Sequence, residues 1–173
     1  YNDSLSSLAG LDNLSPSVAG LQIMSNSKLT SLEGLEWLTS VTGNLDIRHN
    51  QNLVNLAGLE AVTSIEGYLR ITGNELLNNL TGLDNLSHVG NLIVQYNESM
   101  TSFSGIEALE SIGGDLDISD NESLTDLTGL ESLDYIGGDL AIWDNPSLAS
   151  LQDTASAGEI YTRNSELQTA NAA

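Results

Sequence analysis

The sequence predicts a mainly β fold, a β-solenoid of about seven coils with a 24-residue period. Three observations predict it. Asparagine stands at Asn2, Asn26, Asn50, Asn74, Asn97, Asn121 and Asn145, at intervals of 24, 24, 24, 23, 24 and 24 residues. Counting from each asparagine, apolar side chains recur at offsets 3, 6, 9, 12, 15, 19 and 21. Glycine recurs at offset 8, as Gly10, Gly34, Gly58, Gly82, Gly105 and Gly129. A fixed period of this length marks a chain whose repeats each bury a face against the next.

Each element of the coil has its own reason. In the coil that opens at Asn121 the apolar set is Leu124, Leu127, Leu130, Leu133, Ile136, Leu140 and Ile142. Leu140-Ala141-Ile142 alternates inward and outward, as a strand does. The rest advances in threes, which suits neither a long helix nor a long strand, so short strands and tight corners are expected. Glycine at offset 8 marks a corner that needs positive φ or close packing. A second glycine site, Gly43, Gly67, Gly114 and Gly138, stands just before the strand. The asparagines fall at the bend after the strand, where backbone groups turn away from the sheet. A stacked row of amides, Asn26, Asn50, Asn74, Asn97, Asn121 and Asn145, satisfies those groups and one another. Asparagine also favours turns in general, but that preference does not place seven copies in register with the leucines. The repeat solenoid is expected over 1–151. Residues 152–173 read as a degenerate last coil and C-terminal tail, with Ile160 to Leu167 partly regaining the motif.

Leu45-Asp46-Ile47-Arg48-His49-Asn50 fits L-x-L-x-x-N, and the pattern resembles the leucine-rich repeat. The longer string L-x-x-I-x-G-x-L-x-I-x-x-N is similar to the receptor L-domain family, over about residues 1–151. The resemblance implies β-helical coils of the kind found in growth-factor receptor ectodomains and in fungal and bacterial surface proteins. It implies no particular ligand. The chain departs from that family in having no cysteine.

Composition sets further bounds. A length of 173 residues with 40% hydrophobic content suits one domain with a continuous core. Coils stacked at strand spacing predict a body about 35 Å long. No apolar run reaches the length of a membrane span, so no membrane insertion is expected. The chain starts at Tyr1 on a ladder asparagine, which reads as a processed chain or a piece of a longer one. The net charge is −20, and Lys28, Arg48, Arg70 and Arg163 are the only cations. Nucleic acid and anionic lipid both need a basic footprint, so neither is expected as a partner.

The acid is patterned too. Offset 10 is acidic as Asp12, Glu36, Glu60, Asp84, Glu107 and Glu131. This row reads as a solvated face that keeps the rod soluble, with divalent cation binding as the rival. No cofactor is expected. If calcium bound, its candidates are Asp115, Asp117, Asp120, Asp139 and Asp144, because calcium takes several oxygens at once. Abundant Asn, Ser, Thr, Gly and acid point to an extracellular or cell-surface setting. Sequons at Asn97 and Asn121 coincide with the buried ladder, whereas Asn13, Asn79 and Asn85 fall at outward offsets and are the glycosylation candidates.

No catalytic constellation is legible. His49 and His88 occupy different offsets, there is no cysteine, and no serine stands in a G-x-S-x-G elbow. The chain is read as a non-enzyme. The outward strand positions, unlike the core, do not repeat. Arg48, His49, Arg70, Ile93, Tyr96 and Trp143 among them form a candidate face for a protein or glycan ligand, since aromatic and arginine side chains anchor interfaces. The first coil exposes Leu5, Leu8, Leu11, Leu14 and Leu21 with no cap before them. Open ends on a rod favour head-to-tail contact between copies. The leading expectation is therefore an extracellular structural or adhesive protein that self-associates end to end into filaments. The alternative is a ligand-binding repeat module of a larger surface receptor or adhesin. An ice- or mineral-binding solenoid is a third reading, drawn from Thr/Ser rows at offsets 4–5 and 13–14 that lack regular T-x-T spacing.

Overall fold

The computed structural model describes residues 2–149. Among them the chain forms strands and turns and no helix. The expectations for residues 152–173, including the degenerate last coil, lie outside the described residues.

The strands are β1 (Ser17–Val18), β2 (Leu21–Met24), β3 (Ser40–Val41), β4 (Leu45–Arg48), β5 (Ser64–Thr72), β6 (His88–Gln95), β7 (Ser111–Ile112), β8 (Leu116–Ser119), β9 (Tyr135–Ile136) and β10 (Leu140–Trp143). Every pairing is parallel. A short branch runs β1-β3-β5-β6-β7-β9, and a longer one runs β2-β4-β5-β6-β8-β10. The long strands β5 and β6 pass through both. The chain is thus a β-solenoid of about 5 turns with a period of about 24 residues. Sequence spacing sets this register directly: Leu21, Leu45, Leu69, Leu92, Leu116 and Leu140 stack as one row. The one 23-residue interval, Asn74 to Asn97, coincides with a register shift between Ile65 and Tyr68 where β5 meets β6.

The core is the stack of apolar offsets. From Leu29 to Ile118 nearly every one is fully buried, and the row closes on Leu124, Leu127, Leu130, Leu133 and Leu140. Coil one is looser. Leu11 and Leu14 are 38% and 52% exposed, and Leu8, Val18 and Leu21 pack only partly on the core.

The asparagine ladder is continuous. The Asn50 backbone N–H donates to Asn74 Oδ1 at 3.1 Å, and the Asn50 side-chain Nδ2 donates to the Ile23 carbonyl at 2.9 Å. The same pair of bonds recurs at Asn74, Asn97 and Asn121. Asn26, Asn50, Asn74, Asn97 and Asn121 are 0–3% exposed. In an apolar interior each such amide meets backbone groups that would otherwise be unpaired, a loss of about 1–3 kcal/mol apiece.

The offset-8 glycines hold φ between +104 and +113. A Cβ at Gly82 would stand 2.3 Å from the Leu56 backbone of the coil beneath, so stacking itself demands glycine there. The acidic row at offset 10 has a local purpose that the sequence reading did not assign. Gly34, Gly58, Gly82, Gly105 and Gly129 each donate their N–H to the carboxylate two residues on, at 2.8–3.0 Å. Glu36 is held below the ordinary carboxylate range chiefly by its bond from Gly34. These acids cap the glycine corner as well as facing water.

Candidate functional site

Outward residues of the longer branch form three rows. Along β4, Leu45 and Ile47 enter the core, so Asp46 and Arg48 face out. Register then gives the row Gln22, Asp46, Arg70, Ile93, Asp117, Ala141, and beside it the row Met24, Arg48, Thr72, Gln95, Ser119, Trp143. The third row follows the strand: Ser25, His49, Gly73, Tyr96, Asp120 and Asp144 all take left-handed backbone, with φ between 51 and 68. The bend before each ladder asparagine requires that conformation, and only one coil meets it with glycine. A Cβ on Gly73 would sit 2.6 Å from His49 Nδ1, so this glycine also leaves room for the imidazole of the neighbouring coil.

All six expected face residues lie on this surface. His49 is exposed, Tyr96 is 52% and Trp143 45% exposed, while Arg48, Arg70 and Ile93 are half-buried. Two residues of these outward rows are nonetheless covered: Asp46 is 1% and Ser119 0% exposed. The bulk of their neighbours explains it. Asp46 lies between Arg48 on its own strand and Arg70 on the next, and Ser119 between Gln95 and Trp143. Asp46 Oδ1 and Arg48 Nε stand 2.8 Å apart but off line for a hydrogen bond, so charge holds them. Arg48 Nη2 also reaches Met24 Sδ at 3.0 Å, and Arg70 stacks on the Tyr68 ring at 4.7 Å. Both guanidinium groups are therefore oriented before any ligand arrives.

The other half of the face is acidic. Gln95 Nε2 donates to Asp117 Oδ2 at 2.8 Å. Tyr96, Glu98, Asp120, Glu122, Asp144, Asn145 and Pro146 line an open groove of about 640 Å³. The Asp120 carboxylate, followed by burial and then Asp117 and Asp144, raises the Tyr96 phenol above its ordinary range. Among the described residues, the buried side-chain polar atoms without a hydrogen-bond partner belong to Asp46, Arg48, Thr72, Asp117, Ser119 and Asp120. Every one of them is on this face or its corner row. Each such atom costs about 1–3 kcal/mol if nothing meets it, and strain of this kind concentrates where a surface serves something other than folding.

The five aspartates considered for calcium are not brought together. Asp115 and Asp139 precede their strands and belong to a second ladder, in which Asp115 Oδ1 accepts the Asp139 N–H at 2.8 Å. Asp120 and Asp144 follow their strands, five residues and roughly 16 Å further along at strand rise. Among the described residues no group of three or more His, Cys, Asp or Glu is placed to hold a metal ion. The second ladder was missed in the sequence because its residue type changes along the row and Tyr68 interrupts it: Asn44 accepts from Tyr68 N–H, Asn91 from Asp115 N–H and Asp115 from Asp139 N–H.

Remaining candidates separate cleanly. Asn13 and Asn85 are exposed and Asn79 half-buried. The Asn85 amide donates to the Glu60 carbonyl at 2.7 Å, whereas Asn79 uses its oxygen to accept the Thr81 N–H at 3.1 Å. His88 Nδ1 lies 2.9 Å from Ser111 Oγ on the short branch, away from the groove. The hydroxyls of Thr39, Thr63, Ser87 and Thr125 donate to carbonyls of the coil beneath. No helix is long and apolar enough to cross a membrane among the described residues. No protein-family model matches the chain, and neither does any curated protein or solved structure.

Proposed function

We propose that the chain is a non-enzymatic extracellular adhesive module that recognises a protein or glycan partner through the outer face of its longer branch. One observation carries this reading. Among the described residues, the buried polar side-chain atoms without a hydrogen-bond partner gather on that face, one pair of them joined by charge alone, while the core, the ladder and the glycine corner are satisfied coil after coil. The oriented pair Arg48 and Arg70 and the exposed Tyr96 and Trp143 supply the anchors. The coil type we take to be receptor L-domain-like, with about seven coils in all, because strand, bend and amide recur as L-x-I-x-x-N. The extracellular setting follows from the acid-rich, lysine-poor composition, with Asn13, Asn79 and Asn85 as glycan acceptors and no cofactor.

The test uses beads coated with the protein and scored for adhesion to cells and to arrayed glycans. Arg70→Ala combined with Trp143→Ala is expected to lower adhesion about tenfold at unchanged thermal stability. Equal adhesion by the double variant removes the reading.

A second reading, end-to-end self-association, has its own support. Leu5, Leu8, Leu11, Leu21, Ile23 and Leu35 line an apolar hollow of about 330 Å³ at coil one. A further coil laid there would bury it. Electron microscopy of purified protein showing fibres favours this reading, and monodisperse particles disfavour it.

A further inference from the structure

Among the described residues, three oxygens on one strand end have no hydrogen-bond partner. Asp117 Oδ1, Ser119 Oγ and Asp120 Oδ2 are each buried and unpartnered. Leu116 and Ile118 point into the core, so Asp117 and Ser119 project onto the outer face together, and Asp120 turns the corner beside them. Ser119 is fully buried, so its hydroxyl belongs to the floor of the surface. Among the described residues Gln95 engages the other Asp117 oxygen, and a side-chain hydrogen bond with Asp120 helps to raise the Tyr96 phenol. The groove alongside adds Glu98, Glu122 and Asp144, with Tyr96 as its aromatic wall.

We infer that this corner binds a Lys or Arg side chain presented by a basic segment of a protein partner. The inference rests on the sheet-face reading above and names its partner chemistry. The trio offers two carboxylate oxygens that only accept and one hydroxyl that can both accept and donate. An ammonium brings three N–H donors and a guanidinium five, with no acceptor of their own. The open groove of about 640 Å³ suits a side chain with its flanking backbone better than a bare ion. Its aromatic wall favours a cation lying across the Tyr96 ring. Reaching the floor requires Trp143, exposed and in register with Ser119, to swing aside. The chain's net charge of −20 steers such a segment in but does not choose the spot. The unpartnered acceptors choose it.

The experiment is calorimetric titration of the whole protein with a blocked tetralysine peptide at physiological salt, with calcium chloride alone as a second arm. One site per chain is expected. Asp117→Asn with Asp120→Asn should weaken it at least tenfold. Glu33→Gln with Glu110→Gln removes the same charge elsewhere and should change it less than twofold. Gln95→Lys places a tethered ammonium beside Asp117 and should abolish binding even if the aspartate variants fold poorly. Three results overturn the inference: no binding, equal weakening by both charge-matched pairs, or calcium filling the corner in place of the peptide. The adhesion test judges the sheet-face reading separately, since it turns on Arg70 and Trp143.

Discussion

Two neighbouring rows at one corner differ in almost everything except their backbone. The ladder asparagines from Asn26 to Asn121 are buried, identical and hydrogen-bonded from coil to coil. One residue earlier stand Ser25, His49, Gly73, Tyr96, Asp120 and Asp144, all left-handed and all different. Both rows serve the same bend. The ladder is set by the demands of buried amide and carbonyl groups, and only asparagine offers both a donor and an acceptor at that length. The outer row is set only by φ, which glycine, asparagine and aspartate tolerate best. Placing histidine and tyrosine there spends some stability on what projects outward. Interior rows record what the fold needs; the outer row varies because the fold asks only for its backbone conformation.

The largest expected effect breaks the ladder. Asn74→Leu leaves the Asn50 N–H and the Ile47 carbonyl unpaired in the interior, and denaturant unfolding should show a loss of at least about 3 kcal/mol. A cost below about 1 kcal/mol would mean that the ladder follows from the stacking and does not hold it.

The outer row should respond very differently. His49→Gly relieves left-handed strain at the expense of chain entropy, so stability should stay within about 1 kcal/mol of the parent. Gly73→Ala meets only the movable His49 ring, whereas Gly82→Ala meets the fixed Leu56 backbone. Melting temperatures should therefore fall far more for Gly82→Ala.

Acid sharpens the comparison further. The Glu36 carboxylate is held below its ordinary range by the Gly34 N–H. A depressed group of this kind stabilises the fold above its unfolded value of about 4.3. That contribution disappears as pH falls through the lower folded value. Melting curves should therefore show stability dropping below about pH 4, less steeply in Glu36→Gln. A parallel slope in both would leave the corner acids as surface charge alone. The smallest effect is spectroscopic. Tyr96 should ionise above the ordinary phenol range in an absorbance titration, and Asp120→Asn should return it toward that range.

Much of the fold was legible because repetition is a physical constraint. Each coil sees the same neighbours, so Leu53, Leu77 and Leu124 recur for one reason and can be read together. The offset-10 acids were visible as a row, and the glycines at offset 8 as another. Their hydrogen bond went unread because a surface carboxylate two residues past a glycine has no signature apart from the turn it closes. Strand alternation points Asp46 and Ser119 outward, yet both are covered. Their burial depends on Arg48, Arg70, Gln95 and Trp143 from the same and adjoining strands, and no periodicity encodes that.

By itself the sequence determined the winding: a period near two dozen residues, leucines inward, amides at the bend, an acidic rod. Those follow from local pattern and from what a buried backbone requires. The tertiary structure alone decided which acids cap glycines, which guanidinium groups are held in place, and where unpartnered oxygens collect. Such facts depend on which side chains stacking brings within about 3 Å of one another, across residues some two dozen positions apart.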